Sequence, residues 1–132
     1  MPKEWLTELL YMHKIKKIVL QSICIAAQRV YPNEFISMLG KNEKEEVFEL
    51  VMLPAVYGRN FSSIRTDLIP FDKNIVGTIH SHPSKNNNPS SADLNVFSRL
   101  GKIHLIICWP FNLEDIKAFN EQGKKIELEV VK

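Results

Sequence analysis

An α/β chain in the broad sense, α+β in layout, is what the sequence predicts. It comprises a mixed, largely antiparallel sheet flanked by one long N-terminal helix and a short helix further along. Three features carry this expectation: a single long stretch with helical periodicity, several short β-rich runs separated by turn residues, and one nearly continuous apolar run, "KIHLIICW". The helical stretch runs from about Lys14 to Tyr31, where Ile15, Val19, Ile23, Ala26 and Val30 recur at helical spacing and Leu20, Cys24 and Ala27 broaden the stripe. Tyr31-Pro32-Asn33 stops it, because proline has no backbone N–H for the next turn.

The strands follow in order. "EFISMLGK" (34–41) and "EEVFELVMLP" (45–54) read as a hairpin around the charged turn Lys41-Asn42-Glu43-Lys44. "SIRTDLI" (63–69) is expected as a third strand, ended by Pro70-Phe71-Asp72. "NIVGTIHSH" (74–82) is rich in β-branched residues and stops at Pro83. "SADLNVFSRLG" (91–101) has the spacing of a short helix with Gly101 as its C-cap. "KIHLIICW" (102–109) has the pattern of a central strand buried on both faces. "EDIKAFN" and "KKIELEVVK", joined by Glu121-Gln122-Gly123, read as a closing hairpin.

A chain of 132 residues is expected to form one domain with a single core, with residues 1–12 ("KEWLTELLYM" at their centre) as a short N-terminal helical arm. Hydrophobic content of 45% and charged content of 24% are those of a globular protein in water. The 17 basic and 15 acidic side chains are interspersed, which leaves no basic stripe for a nucleic-acid backbone. The cluster His13-Lys14-Ile15-Lys16-Lys17 reads as a solvated helix start. No run is long enough to span a membrane, and Met1-Pro2-Lys3-Glu4 leads into a charged segment, so the expected location is the cytoplasm. Cys24 and Cys108 lie among apolar residues, as buried reduced thiols do; a disulfide between them requires their segments to pack together. Trp5 and Trp109 read as packing residues, and Trp5, Leu6, Leu9 and Leu10 of the arm make a homodimer one way of burying them.

The chemistry concentrates in "GTIHSHPSKNNNPSSADLNVF", Gly77 to Phe97. Residues i and i+2 of a strand share a face, so His80 and His82 project side by side, a natural ligand pair for a borderline metal such as zinc. Pro83 turns the chain out of the sheet, and the loop Ser84 to Pro89 is able to bring Asp93, in the first turn of the next helix, back over them. Three protein ligands leave a fourth position for water, the layout of a catalytic site. Ser90-x-x-Asp93 is equally a capping-box pattern, and the two readings are compatible. Glu34, at the start of its strand, is the candidate proton acceptor, since activating a water requires a base. His13 and His104 stay outside the site.

Glu34, then "HSHP" at 80–83, then Pro89-Ser90-Ser91-Ala92-Asp93 resembles the motif of the JAMM (MPN-plus, Mov34/MPN/PAD-like) zinc metalloproteases. The likeness runs from roughly Ile15 to the C-terminus and is greatest to stand-alone archaeal desampylase-type isopeptidases. One departure is Ser37, where many members have glycine. The resemblance implies the cytidine-deaminase-like JAMM/MPN fold and one zinc ion per chain on His80, His82 and Asp93. It implies Glu34 as general base and Ser90 as oxyanion donor, a role worth roughly 2.7–4 kcal/mol in other amide hydrolases. It also implies, as substrate, an isopeptide or peptide bond after the diglycine tail of a ubiquitin-like modifier or sulfur-carrier protein. Two alternatives share the fold: hydrolysis of small peptide conjugates, and a binding or assembly module without catalysis.

Overall fold

The computed structural model describes residues 12–132, so the expected helical arm at 1–12, with Trp5 and the dimer expectation, lies almost entirely outside the described residues. Strand β1 (Lys14–Lys16) leads directly into helix α1 (Lys17–Val30). Strands β2 (Ile36–Lys41) and β3 (Glu46–Val51) form the expected hairpin, with Asn42 Oδ1 accepting from the N–H groups of Lys44 and Glu46 in the turn. β4 (Ile75–His82), helix α2 (Ser91–Phe97) and β5 (Ile103–Cys108) follow, then β6 (Ile116–Phe119), β7 (Lys125–Ile126) and β8 (Glu129–Val131).

All eight strands form one mixed sheet in the order β7-β6-β5-β4-β2-β3-β1-β8. β7 and β8 occupy opposite edges, yet only Glu127 and Leu128 separate them in sequence. Two residues reach about 10 Å between flanking Cα atoms, so the sheet must curl until its edges nearly meet. Its inner face holds α1, whose Val19, Ile23 and Ala27 pack with Leu39, Val47, Ile79, Leu105 and Ile107. Burying each large aliphatic side chain there is worth about 1.5–3 kcal/mol. Phe61, Val96, Phe97, Ile106 and Phe119 fill a second cluster under α2. β5 is buried along its whole length, because consecutive residues feed alternate clusters.

Four expectations give way to the structure. Lys14 to Lys16 extend as β1, paired with both β3 and β8, instead of opening the helix; Ile15 is fully buried in either role, so periodicity alone does not separate them. "SIRTDLI" is not a strand. Phe61–Ser63 and Thr66–Leu68 are single 3₁₀ turns, held by Asn60 Oδ1 accepting from Ser63 N–H and by a two-bond Arg65–Asp67 pair, local bonds that compete with a ladder. The closing hairpin ends at Ile126, after which β8 crosses to pair parallel with β1. Gly101 likewise does not cap α2, which ends at Phe97 with Ser98 as its cap residue. Gly101 adopts φ +102° in a turn so close to β4 that a Cβ would lie 2.3 Å from the Val76 carbonyl oxygen. Only glycine fits there.

Cys24 and Cys108 are both free, and burial pushes both thiols above their ordinary value. Among the described residues, no helix is long and apolar enough to cross a membrane.

Candidate metal centre

Alternation along β4 decides what each side chain faces. Ile79 points to α1, and Ser81 Oγ accepts from Phe35 N–H at 2.7 Å, tying the start of β2 to β4. Thr78, His80 and His82 point the other way, toward α2. Pro83 then takes the chain out of the sheet. The loop that follows is pinned at several points: Trp109 N–H donates to the Ser84 carbonyl (2.9 Å), and Asn87 Nδ2 donates to the Asp115 carbonyl (3.0 Å). That pinned loop delivers α2 with Asp93 over the histidines. Trp109 itself is half-exposed at the loop's edge, with the Lys85 ammonium 5.4 Å from its ring centre, so its indole is not a core packing group.

His80 Nε2, His82 Nε2 and Asp93 Oδ2 converge: 3.4 Å from each imidazole nitrogen to the carboxylate oxygen and 3.1 Å between the nitrogens. In a tetrahedral zinc site with bonds of about 2.0–2.1 Å, neighbouring ligand atoms stand about 3.3–3.4 Å apart. The observed spacing therefore fits such an ion. The hydrogen bonding agrees. His82 Nδ1–H donates to the Asn86 carbonyl at 2.7 Å, which leaves its Nε2 as a bare acceptor facing another acceptor, Asp93 Oδ2. A set of acceptors aimed at one point needs positive charge between them.

Electrostatics follow from burial. Desolvation holds His80 below the ordinary imidazole range, and Asp93 only partly offsets it. His82 is raised instead, because its protonated form would hydrogen-bond Asp93 and it is less buried. Burial alone would raise the Asp93 carboxyl, but His80, His82 and the Ser90 N–H outweigh it and hold Asp93 well below the usual carboxylate range. The centre thus presents one imidazole held toward its neutral form and one firmly ionised carboxylate, both ready for a metal. A metal would have to displace the proton that His82 binds more readily than an ordinary imidazole.

Ser90 is the N-cap of α2. Its Oγ accepts from Asp93 N–H (3.0 Å), and its N–H donates to Asp93 Oδ2 (2.9 Å). The capping box is real, and the same box orients the Asp93 oxygen that faces the histidines. Its hydroxyl proton is left for another acceptor. Glu34 stands just before β2. Continuing the Ile36–His80 register by two residues sets it opposite His82 on the same face, and its charge adds a small upward pull on both histidines, which in His80 burial outweighs. Glu34 Oε2 accepts from Phe61 N–H at 3.1 Å, and Glu34 also borders a cavity of about 190 Å³ with Leu53, Tyr57 and Ile64. All five candidates therefore occupy one end of the sheet.

Sequence reasoning passed over Phe61 and Asn86. The first has a local signal, Asn60-x-x-Ser63, which forms a second capping box. His104 is buried and fully bonded: Thr78 Oγ1–H donates to Nδ1 (2.7 Å), Nε2–H donates to the Gly101 carbonyl (2.9 Å), and Phe97 stacks on its ring. Burial lowers its pKa to about 4. The unfolded chain takes up that proton near pH 6.5, so between these values the unfolded state binds more protons and stability rises with pH. Acidification from pH 6.5 to 4 is expected to remove about 3 kcal/mol through this residue. His104→Asn should flatten that slope in urea titrations at stepped pH.

The profile of the family described as prokaryotic homologs of the JAB domain matches residues 16–122. A Haloferax volcanii protein described as a probable metalloprotease is 33% identical over 116 residues, 80% of this chain and 71% of that protein. A JAB1/MPN domain protein from Archaeoglobus fulgidus superposes with a TM-score of 0.74 at 34% identity, over 92% of this chain and 99% of that one. A structure described as a JAMM metalloprotease-like zinc site in the proteasome and signalosome has the same TM-score and coverage, 92% and 99%, at 36% identity.

Proposed function

The chain belongs to the prokaryotic JAB-domain family of JAMM/MPN proteins, and from that premise we propose that it is a cytoplasmic zinc hydrolase. Its substrate in this reading is an isopeptide or peptide bond after the diglycine tail of a ubiquitin-like modifier or sulfur-carrier protein. The observation that carries the hydrolase reading is the convergence of His80, His82 and Asp93 at ligand spacing, with Glu34 on the same face.

His80 Nε2, His82 Nε2 and Asp93 Oδ2 would hold one zinc ion. Bound there, zinc supplies Lewis acidity, polarising the scissile carbonyl and making water nucleophilic near neutral pH. Glu34 takes the proton of the attacking water and returns it to the departing amine, so one carboxylate serves both halves of the reaction. Phe61 N–H keeps that carboxylate in place. Ser90, whose oxygen lone pair is already committed to Asp93 N–H, offers its hydroxyl proton to the oxyanion that develops on the substrate carbonyl. The pinned loop from Ser84 to Pro89 forms one wall of the cleft, and a diglycine tail is thin enough to lie extended against it.

The test is direct. Purified protein is expected to carry about one equivalent of zinc and to cleave a modifier conjugate in a chelator-sensitive manner. Small peptide conjugates assayed alongside separate the two substrate classes. Protein that takes up no zinc and cleaves neither would return the chain to a binding or assembly role. Ser90→Ala should separate the two jobs of that side chain. We expect kcat to fall about 10²–10³-fold, stability to fall by about 1 kcal/mol, and zinc content to hold.

A further inference from the structure

The two imidazoles of the centre are held by different means. His82 is fixed by a hydrogen bond from its outer nitrogen to the Asn86 carbonyl. His80 has no such tie: its Nδ1 is buried and has no hydrogen-bond partner among the described residues. What lies against the ring is Phe61, fully buried, with ring centroids 3.7 Å apart and planes within 8° of parallel. The backbone of the same residue donates to Glu34 Oε2. One residue therefore grips a candidate ligand with its side chain and the candidate base with its main chain.

We propose that Phe61 is a positioning residue that sets His80 and Glu34 relative to each other, its ring replacing the hydrogen bond that His80 lacks. This rests on the hydrolase reading above and adds to it a division of labour inside one turn. The turn is built to be stiff. Asn60 Oδ1 accepts from Ser63 N–H (3.0 Å), and Ser63 Oγ accepts from the N–H groups of Arg59 (3.2 Å) and Asn60 (3.1 Å). Phe61 is also braced from behind by the edge-on ring of Phe97, on the helix that carries Asp93. A shift of the turn would thus move the base and rotate a ligand together, a displacement to which both proton transfer and metal affinity are sensitive.

Ring and backbone are separable by mutation. Phe61→Leu removes the flat face but keeps the backbone N–H, and is expected to weaken zinc affinity by about tenfold or more. It should also alter the visible absorption of the cobalt(II)-substituted protein. Phe61→Tyr keeps the face and should retain wild-type affinity. Asn60→Ala, at an exposed position, loosens the turn that holds both groups and is expected to lower kcat about tenfold and to weaken zinc affinity with it, while KM stays unchanged. Phe61→Leu with lower thermal stability but wild-type zinc affinity and cobalt spectrum would overturn the proposal, as would an Asn60→Ala enzyme with unaltered kcat. If Phe61→Leu does not fold, Phe61→Met fills the space without a flat face and is read the same way. Wild-type protein that binds zinc and cleaves, beside variants that do so equally well, sinks the positioning role alone. Wild-type protein that does neither sinks the hydrolase reading as well.

Discussion

Glu34→Gln is expected to lower kcat for conjugate cleavage by about 10²–10⁴-fold while zinc content and melting temperature stay at wild-type values. The substitution is close to isosteric, and the amide oxygen of glutamine still accepts from Phe61 N–H, so the side chain keeps its place before β2. What is lost is basicity alone. Steady-state kinetics beside metal analysis on the same preparation checks this. Full turnover in the variant would remove Glu34 from the reaction and require another base. KM is expected to change little, because a proton acceptor acts on the transition state more than on substrate binding.

Asp93→Asn should act at the other step. It leaves the volume and an acceptor oxygen for Ser90 N–H, so the start of α2 is preserved, but it removes the only carboxylate among the three converging atoms. Zinc affinity is expected to fall by at least about 100-fold, beyond the loss usual for outer-shell partners, with cleavage at background. The metal-free variant should also unfold more easily at neutral pH. Asp93 is held ionised well below its ordinary range, so its contribution is present above the unfolded carboxyl pKa and is lost progressively as pH falls from there toward the lower folded value. Calorimetric zinc titration and melting of the stripped protein at pH 7 measure the two effects separately. An Asp93→Asn protein with wild-type zinc affinity would exclude the carboxylate from the centre.

The parts of this fold that the sequence announces are those with a strong one-dimensional period. The stripe of α1, the apolar run of β5 and the i, i+2 pair His80/His82 each reach their place through local geometry, and Ser90 and Asp93 through a cap that operates within four residues. What escaped has a common cause. β1 looks helical because Ile15 fits both periods, and only pairing with strands far along the chain decides it. β8 looks like the second arm of a hairpin because the curl that carries it to the opposite edge is a property of the whole sheet. Segment 63–69 has strand-like composition, but Asn60 and Ser63 spend their hydrogen bonds locally. Phe61 was invisible for a related reason: its contact with His80 joins two elements that share no motif.

The curl has a consequence for how the molecule breathes. The bond from Lys16 Nζ to the Lys132 carbonyl, beside the β1–β8 pairing, spans 116 positions, and closing a loop that long carries one of the larger entropic penalties in the chain. The outer strands β7 and β8 are also among the shortest, with two and three residues. Amide hydrogens there should exchange early, by local fraying that leaves the rest of the sheet intact. β4 sits four strands from β8, between β5 and β2, with its longest ladders on both sides. The seam that opens first is therefore remote from His80 and His82, and the protein can loosen at its margins without disturbing its metal ligands.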